Sequence, residues 1–228
     1  MGTLITVWIF VTRIDKTRLT NIGFQGVTYK EPFFGFFTGF IIIGTGFLLL
    51  LWLHQIASFK IKFNLIDVLL TIGTCISIAI TEEVLMRGYV LNKLMNHFSK
   101  WIALIISAVL FCLMHLFNPN LGVLPIINLF LAGILVGLSY VFTRNLWFSI
   151  ALHFSWNFFQ GILGFNVSGM NFYSVIIQSK SSNTIWNGGL FGFEGSVVCI
   201  LLQVICIVIV YYAFSVRKNA SLSLNTIS

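Results

Sequence analysis

The stretch Leu65–Gly88 reads LIDVLLTIGTCISIAITEEVLMRG, and the fold turns on how it is understood. Leu65–Ile80 is uncharged apart from Asp67 and predominantly apolar. It then runs through Glu82 and Glu83 into a segment that still reads helical, with Arg87 one turn beyond Glu83. Such a run belongs either to a buried core helix or to a membrane span. Composition decides between them. The chain is 58% hydrophobic and 8% charged, with a mean hydropathy of +0.98. A soluble domain carries about a quarter charged residues. This chain cannot cover its apolar segments with a charged surface, so the bilayer is its solvent.

Outward from Leu65–Gly88, further apolar stretches occupy Phe33–Leu53, Trp101–Phe117, Val123–Phe142, Leu146–Leu163 and Leu190–Phe214. A shorter one, Leu4–Thr12, reads as the trimmed end of a helix, a shallow interfacial segment or a short span completed by Met1–Thr3. No basic residue precedes it and no small-residue cleavage site follows, so it does not read as a cleaved signal peptide. The expected architecture is all-α, a polytopic transmembrane helix bundle of six to eight spans. It forms one integral membrane domain over 1–228, with a motif-bearing core at about 65–163.

The net charge of +7 comes from basic residues scattered singly between apolar segments. No stripe tracks a phosphate backbone, which excludes nucleic acid as a partner. Placing Arg217 and Lys218 in the cytoplasm and alternating sides brings Arg144, Lys93, Lys100 and the group Arg13, Lys16, Arg18 and Lys30 to the same side. Lys60, Lys62 and Lys180 fall outside, with the Ser-, Asn- and Gly-rich loop at about Phe165–Gly189. This obeys the positive-inside rule. Cys75, Cys112, Cys199 and Cys206 lie in apolar segments without metal-type spacing and read as packing residues. Trp8, Trp52, Trp101, Trp147 and Trp186 near span ends read as interfacial anchors. Gly133 and Gly137 form a small-xxx-small pair suited to helix packing. Glu194, near the start of the last span, reads as a solvated charge at the outer edge.

Ionisable residues in a bilayer core are costly and call for a partner or a task. Three places present them. In Thr81–Gly88, Glu83 and Arg87 share a helical face and can pair. Glu82 is rotated about 100° away and stays available. His115 closes Phe111-Cys112-Leu113-Met114-His115. His153 and Asn157 are four apart on one face of another helix. Converging in the bundle, these groups suit hydrolysis: a carboxylate takes a proton from water, while an amide and an imidazole stabilise the oxyanion. Alternatively, His115, His153 and Glu82 could hold Zn²⁺, which lowers the pKa of bound water to about 7. There is no HExxH and no GxSxG.

The ordered set Glu82-Glu83-xxx-Arg87, Phe111-xxx-His115 and His153-xxx-Asn157 resembles the CPBP family of intramembrane proteases, the CAAX prenyl protease and bacteriocin-processing enzymes also called Abi. Leu146–His153 is similar to that family's approach to its third motif. Arg18-Leu19 with Asn21–Phe24 is similar to a polar segment upstream of the first. The resemblance implies an eight-helix-type fold with Glu82, His115, His153 and Asn157 around a catalytic water, and Glu83 and Arg87 in support. Members are described both as metalloproteases and as glutamate-dependent proteases. Asn157 suits an oxyanion donor better than a Zn²⁺ ligand and favours the second. The departure from the pattern is the short first span.

The implied partner is a peptide or protein substrate at the membrane. The compact length suits a bacterial plasma membrane. Two other classes compete. One is a bacteriocin self-immunity or membrane interaction protein that uses the fold without essential catalysis. The other is a small proton-relaying transporter, whose expected inverted repeat is missing from the sequence.

Overall fold

The computed structural model describes residues 2–26, 29–179 and 182–225, with side chains to residue 216. Its helices are α1 (Gly2–Ile9), α2 (Lys30–Trp52), α3 (Leu65–Glu83), α4 (Asn92–His97), α5 (Lys100–Met114), α6 (Val123–Thr143), α7 (Trp147–Ile162) and α8 (Val197–Asn225). Four helical stretches are long and apolar enough to cross a membrane: Lys30–Trp52, Leu65–His97, Val123–Thr143 and Val197–Val216. Gly2–Ile14 and Lys100–Met114 are shorter apolar helices. The expectation of six to eight spans is thus met by four full-length ones, with α5 and α7 as short helices of 15 and 16 residues. At 1.5 Å per residue, each falls short of a core about 30 Å thick. The all-α expectation holds, with one short pair of strands beside the helices. Ser58–Ile61 (β1) pairs antiparallel with Ile176–Ser179 (β2).

Leu65–His97 does continue as one helical rod. Asn64 caps it, its side-chain oxygen accepting from the Ile66 N–H at 3.0 Å, and Asp67 in the first turn complements the positive end of the helix dipole. Directly after Glu83 the backbone widens into a π-helix over Val84–Leu91. Such widenings concentrate at functional sites.

Packing is close where side chains are small. A Cβ on Gly39 of α2 would lie 2.9 Å from the Leu152 carbonyl of α7, and Ser155 Oγ donates to the Phe36 carbonyl at 2.6 Å. Between α5 and α6, a Cβ on Gly133 would lie 2.9 Å from Ala108 Cα, the packing role read from the small-xxx-small pair. Large apolar side chains such as Phe34, Leu48, Leu70 and Ile209 point outward, as lipid contact requires. Cys75, Cys112 and Cys199 are buried and Cys206 is half-buried, all as free thiols.

The loops gather by side. Lys93 pairs with Asp15 at 2.6 Å, and Arg144 donates to Asn92 Oδ1 at 2.7 Å. The Asn21–Phe24 region docks there too, the Gly23 carbonyl accepting from the Leu146 N–H at 2.9 Å. The β1–β2 pair joins the His54–Asn64 and Phe165–Gly189 loops elsewhere. Lys180, and the side chains of Arg217 and Lys218, lie outside the described residues.

Candidate active site

Glu82 and Glu83 are the last residues of α3, and their side chains diverge as the helical rotation dictates. Glu83 is fully buried, as is Arg87. The Glu83 Oε1 accepts from Arg87 Nη1 at 3.0 Å, while Arg87 Nη2 donates to the Gly133 carbonyl of α6 at 3.0 Å. The guanidinium also lies 4.6 Å from the centroid of the Phe111 ring. Phe111 is thereby more than a spacer before His115: its ring covers the buried cation.

The same Glu83 Oε1 meets His153 Nδ1 at 2.7 Å. A carboxylate paired with a guanidinium accepts, so Nδ1 carries a proton, and in the neutral ring the His153 Nε2 lone pair is free. His115, at the end of α5, follows the same logic. Its Nδ1 lies 2.8 Å from the Phe111 carbonyl. A carbonyl can only accept, which again leaves Nε2 bare. Both free nitrogens face Glu82. Its Oε2 is 4.0 Å from His115 Nε2 and 3.9 Å from His153 Nε2. That oxygen is buried without a hydrogen-bond partner among the described residues. A buried polar atom without a partner is rare enough to call for an explanation.

The three groups open on a cavity of about 440 Å³, lined also by Asn157, Trp156, Met114, Asn118, Ser168 and Phe172. Asn157 is one turn from His153 on α7 and buried. Its amide makes no hydrogen bond to another described residue and is free for a ligand. The sequence-derived residues are therefore gathered: Glu82, His115, His153 and Asn157 around the cavity, with Glu83 and Arg87 behind His153.

The alternative of a bound metal can be tested against this donor set. Two ligands of a tetrahedral Zn²⁺ with bonds of about 2.0 Å lie roughly 3.3 Å apart. The observed 3.9 and 4.0 Å are wider, and no group of three or more metal-type side chains among the described residues is disposed to hold an ion. The observed spacing lies between that of two Zn²⁺ ligands and the roughly 4.5 Å that separates two acceptors of one water with contacts of about 2.8 Å.

One residue departs from its expected place. Glu194 is buried in the cavity wall, where solvation at the outer edge was expected. It follows Phe193 in a 3₁₀ turn, Phe193–Gly195, and three donors satisfy its carboxylate: Trp156 Nε1 at 2.9 Å on Oε1, and Ser168 N and Oγ at 2.7 and 2.9 Å on Oε2. Sequence reading missed Trp156, Asn118 and Ser168 altogether. The one available signal was Glu194 itself, a lone carboxylate inside an apolar stretch.

The family model described as Rce1-like, type II CAAX prenyl endopeptidase, matches residues 64–159. That segment holds all three motifs. No curated protein and no solved structure matches the chain significantly. Residues 64–159 of this integral membrane protein are accordingly similar to the Rce1-like endopeptidases, in line with the CPBP family that the motif order resembles.

Proposed function

We propose that the chain is a CAAX-type intramembrane endopeptidase in which Glu82 activates water directly. The observation that carries this reading is the unpartnered Glu82 Oε2, faced at 3.9 and 4.0 Å by two imidazole nitrogens whose opposite edges are already engaged. A water among these three acceptors donates one proton to Glu82 and the other to an imidazole. Its oxygen lone pair is then directed into the cavity. As that oxygen bonds to the scissile carbonyl carbon, Glu82 takes the proton. The Asn157 amide donates to the oxyanion, an interaction whose removal costs about 10²–10³ in rate elsewhere. Collapse of the tetrahedral intermediate breaks the C–N bond, and Glu82 returns the proton to the leaving nitrogen. Glu83 keeps His153 in the required tautomer, much as a carboxylate behind a histidine does at other hydrolytic sites.

The family's description supplies the substrate class: a chain ending in a prenylated Cys-aliphatic-aliphatic-X sequence. The test uses purified protein in micelles with a farnesylated peptide of that form, assayed by mass spectrometry with and without a chelator. Internal peptide-bond cleavage that survives chelation is expected. Cleavage lost on chelation and restored by Zn²⁺ would overturn the direct role of Glu82. Failure to cleave the peptide under either condition would overturn the substrate class.

A further inference from the structure

The cavity that holds Glu82 has a second carboxylate in its wall, and the chemistry above does not use it. Glu194 has no cation within ion-pair distance among the described residues, and its charge is held by hydrogen bonds alone. A buried charge of this kind is costly unless its donors are fixed. They belong to two separate elements. Trp156, on Oε1, is next to Asn157 on α7. Ser168, on Oε2, is at the tip of the turn Val167–Met170, whose ends pair with each other.

That turn has a positive φ at both central residues, 49° at Ser168 and 82° at Gly169. Glycine adopts this freely, but serine does so only when its surroundings enforce it. Glu194 supplies the enforcement by gripping both the N–H and the hydroxyl of Ser168. The Ser168 carbonyl, so oriented, accepts from Asn118 Nδ2 at 3.0 Å. The Asn118 N–H in turn donates to the His115 carbonyl at 3.0 Å.

We infer that Glu194 is a positioning residue that holds the two histidine-bearing walls of the cavity in register, α7 through Trp156 and the end of α5 through Ser168 and Asn118. The inference rests on the catalytic reading above only for its effect on rate; the clamp itself is independent of it. Since misplacement by about 1 Å can cost 10²-fold, loosening both walls lowers kcat by about tenfold or more.

The test uses the full chain in micelles. Glu194→Gln keeps the size but removes the charge and one acceptor. The farnesylated peptide should then be turned over with kcat down about tenfold and KM within about twofold. Amide hydrogen exchange should accelerate in the peptides containing Ser168 and Asn118 but not in Lys30–Trp52. Glycine needs no enforcement at position 168, so Glu194→Gln with Ser168→Gly should recover part of the lost kcat. Unchanged exchange at both places overturns the clamp, and so does a change in KM alone. If Glu194→Gln does not fold, Ser168→Ala, which removes one bond, carries the same exchange test. A wild-type protein that leaves the peptide intact overturns the protease reading, while the exchange result still decides the clamp.

Discussion

Arg87→Leu tests the buried charge system behind His153. The wild-type guanidinium donates to Glu83 and to the Gly133 carbonyl, both at 3.0 Å, and lies 4.6 Å from the Phe111 ring centroid. Hydrogen bonds to charged groups contribute about 1.5–3 kcal/mol each, and a desolvated cation–π contact about 2 kcal/mol. Leucine returns some apolar packing but leaves the Glu83 carboxylate, at zero exposure, with His153 Nδ1 as its one remaining donor among the described residues. Removing one member of a buried pair typically costs about 3–5 kcal/mol, so a loss of about 4 kcal/mol is expected. The double variant Glu83→Gln/Arg87→Leu strands no charge. It should recover at least about 2 kcal/mol relative to the sum of the two single losses. Denaturation by sodium dodecyl sulfate in mixed micelles measures both quantities. Interhelical hydrogen bonds in membrane proteins average only about 0.6 kcal/mol. An Arg87→Leu loss of that size, or strict additivity in the double variant, would refute the picture of a buried charge that depends on its guanidinium partner.

Asn157→Ala should lower kcat by about 10²-fold with KM little changed, because its amide is assigned to the transition state alone; steady-state kinetics on the farnesylated peptide checks this. Gly39→Ala places a methyl 2.9 Å from the Leu152 carbonyl and from Ser155. It should cost about 1–3 kcal/mol by overpacking and shift α7 together with His153, so mixed-micelle stability and turnover should fall together. Ser149 Oγ, one turn before His153 on α7, donates to the Val136 carbonyl at 2.8 Å. Ser149→Ala should cost about 1 kcal/mol in the same unfolding assay and leave kcat within about twofold.

The helices that bear the motifs were legible because the bilayer makes apolar runs and intramembrane charges conspicuous. Glu82, Glu83 and Arg87 stood out in an apolar rod, and His153 and Asn157 announced a shared face by their spacing. Which imidazole nitrogen is free was not legible, since it depends on the Phe111 carbonyl and on Glu83 lying behind His153. Four stretches reach the length of a span where six to eight were expected, because hydropathy extends runs past the points where helices end. His115 closes α5 and Leu163 closes α7, and both helices are shorter than their apolar stretches. The β1–β2 pairing joins segments more than a hundred residues apart and leaves no local periodicity to read. Glu194 was visible but misplaced. A lone carboxylate beside a span reads as solvated until the Trp156 and Ser168 donors, contributed by distant segments, are known.

The most direct measurement is the turnover of Glu82→Gln set against wild type in the same micelles, with folding verified by unchanged mixed-micelle stability. Glutamine preserves the shape of the side chain but cannot take a proton from water, so kcat should drop by at least about 10³-fold. A folded Glu82→Gln protein that cleaves the peptide within about threefold of the wild-type rate would contradict the assignment of Glu82 as the base.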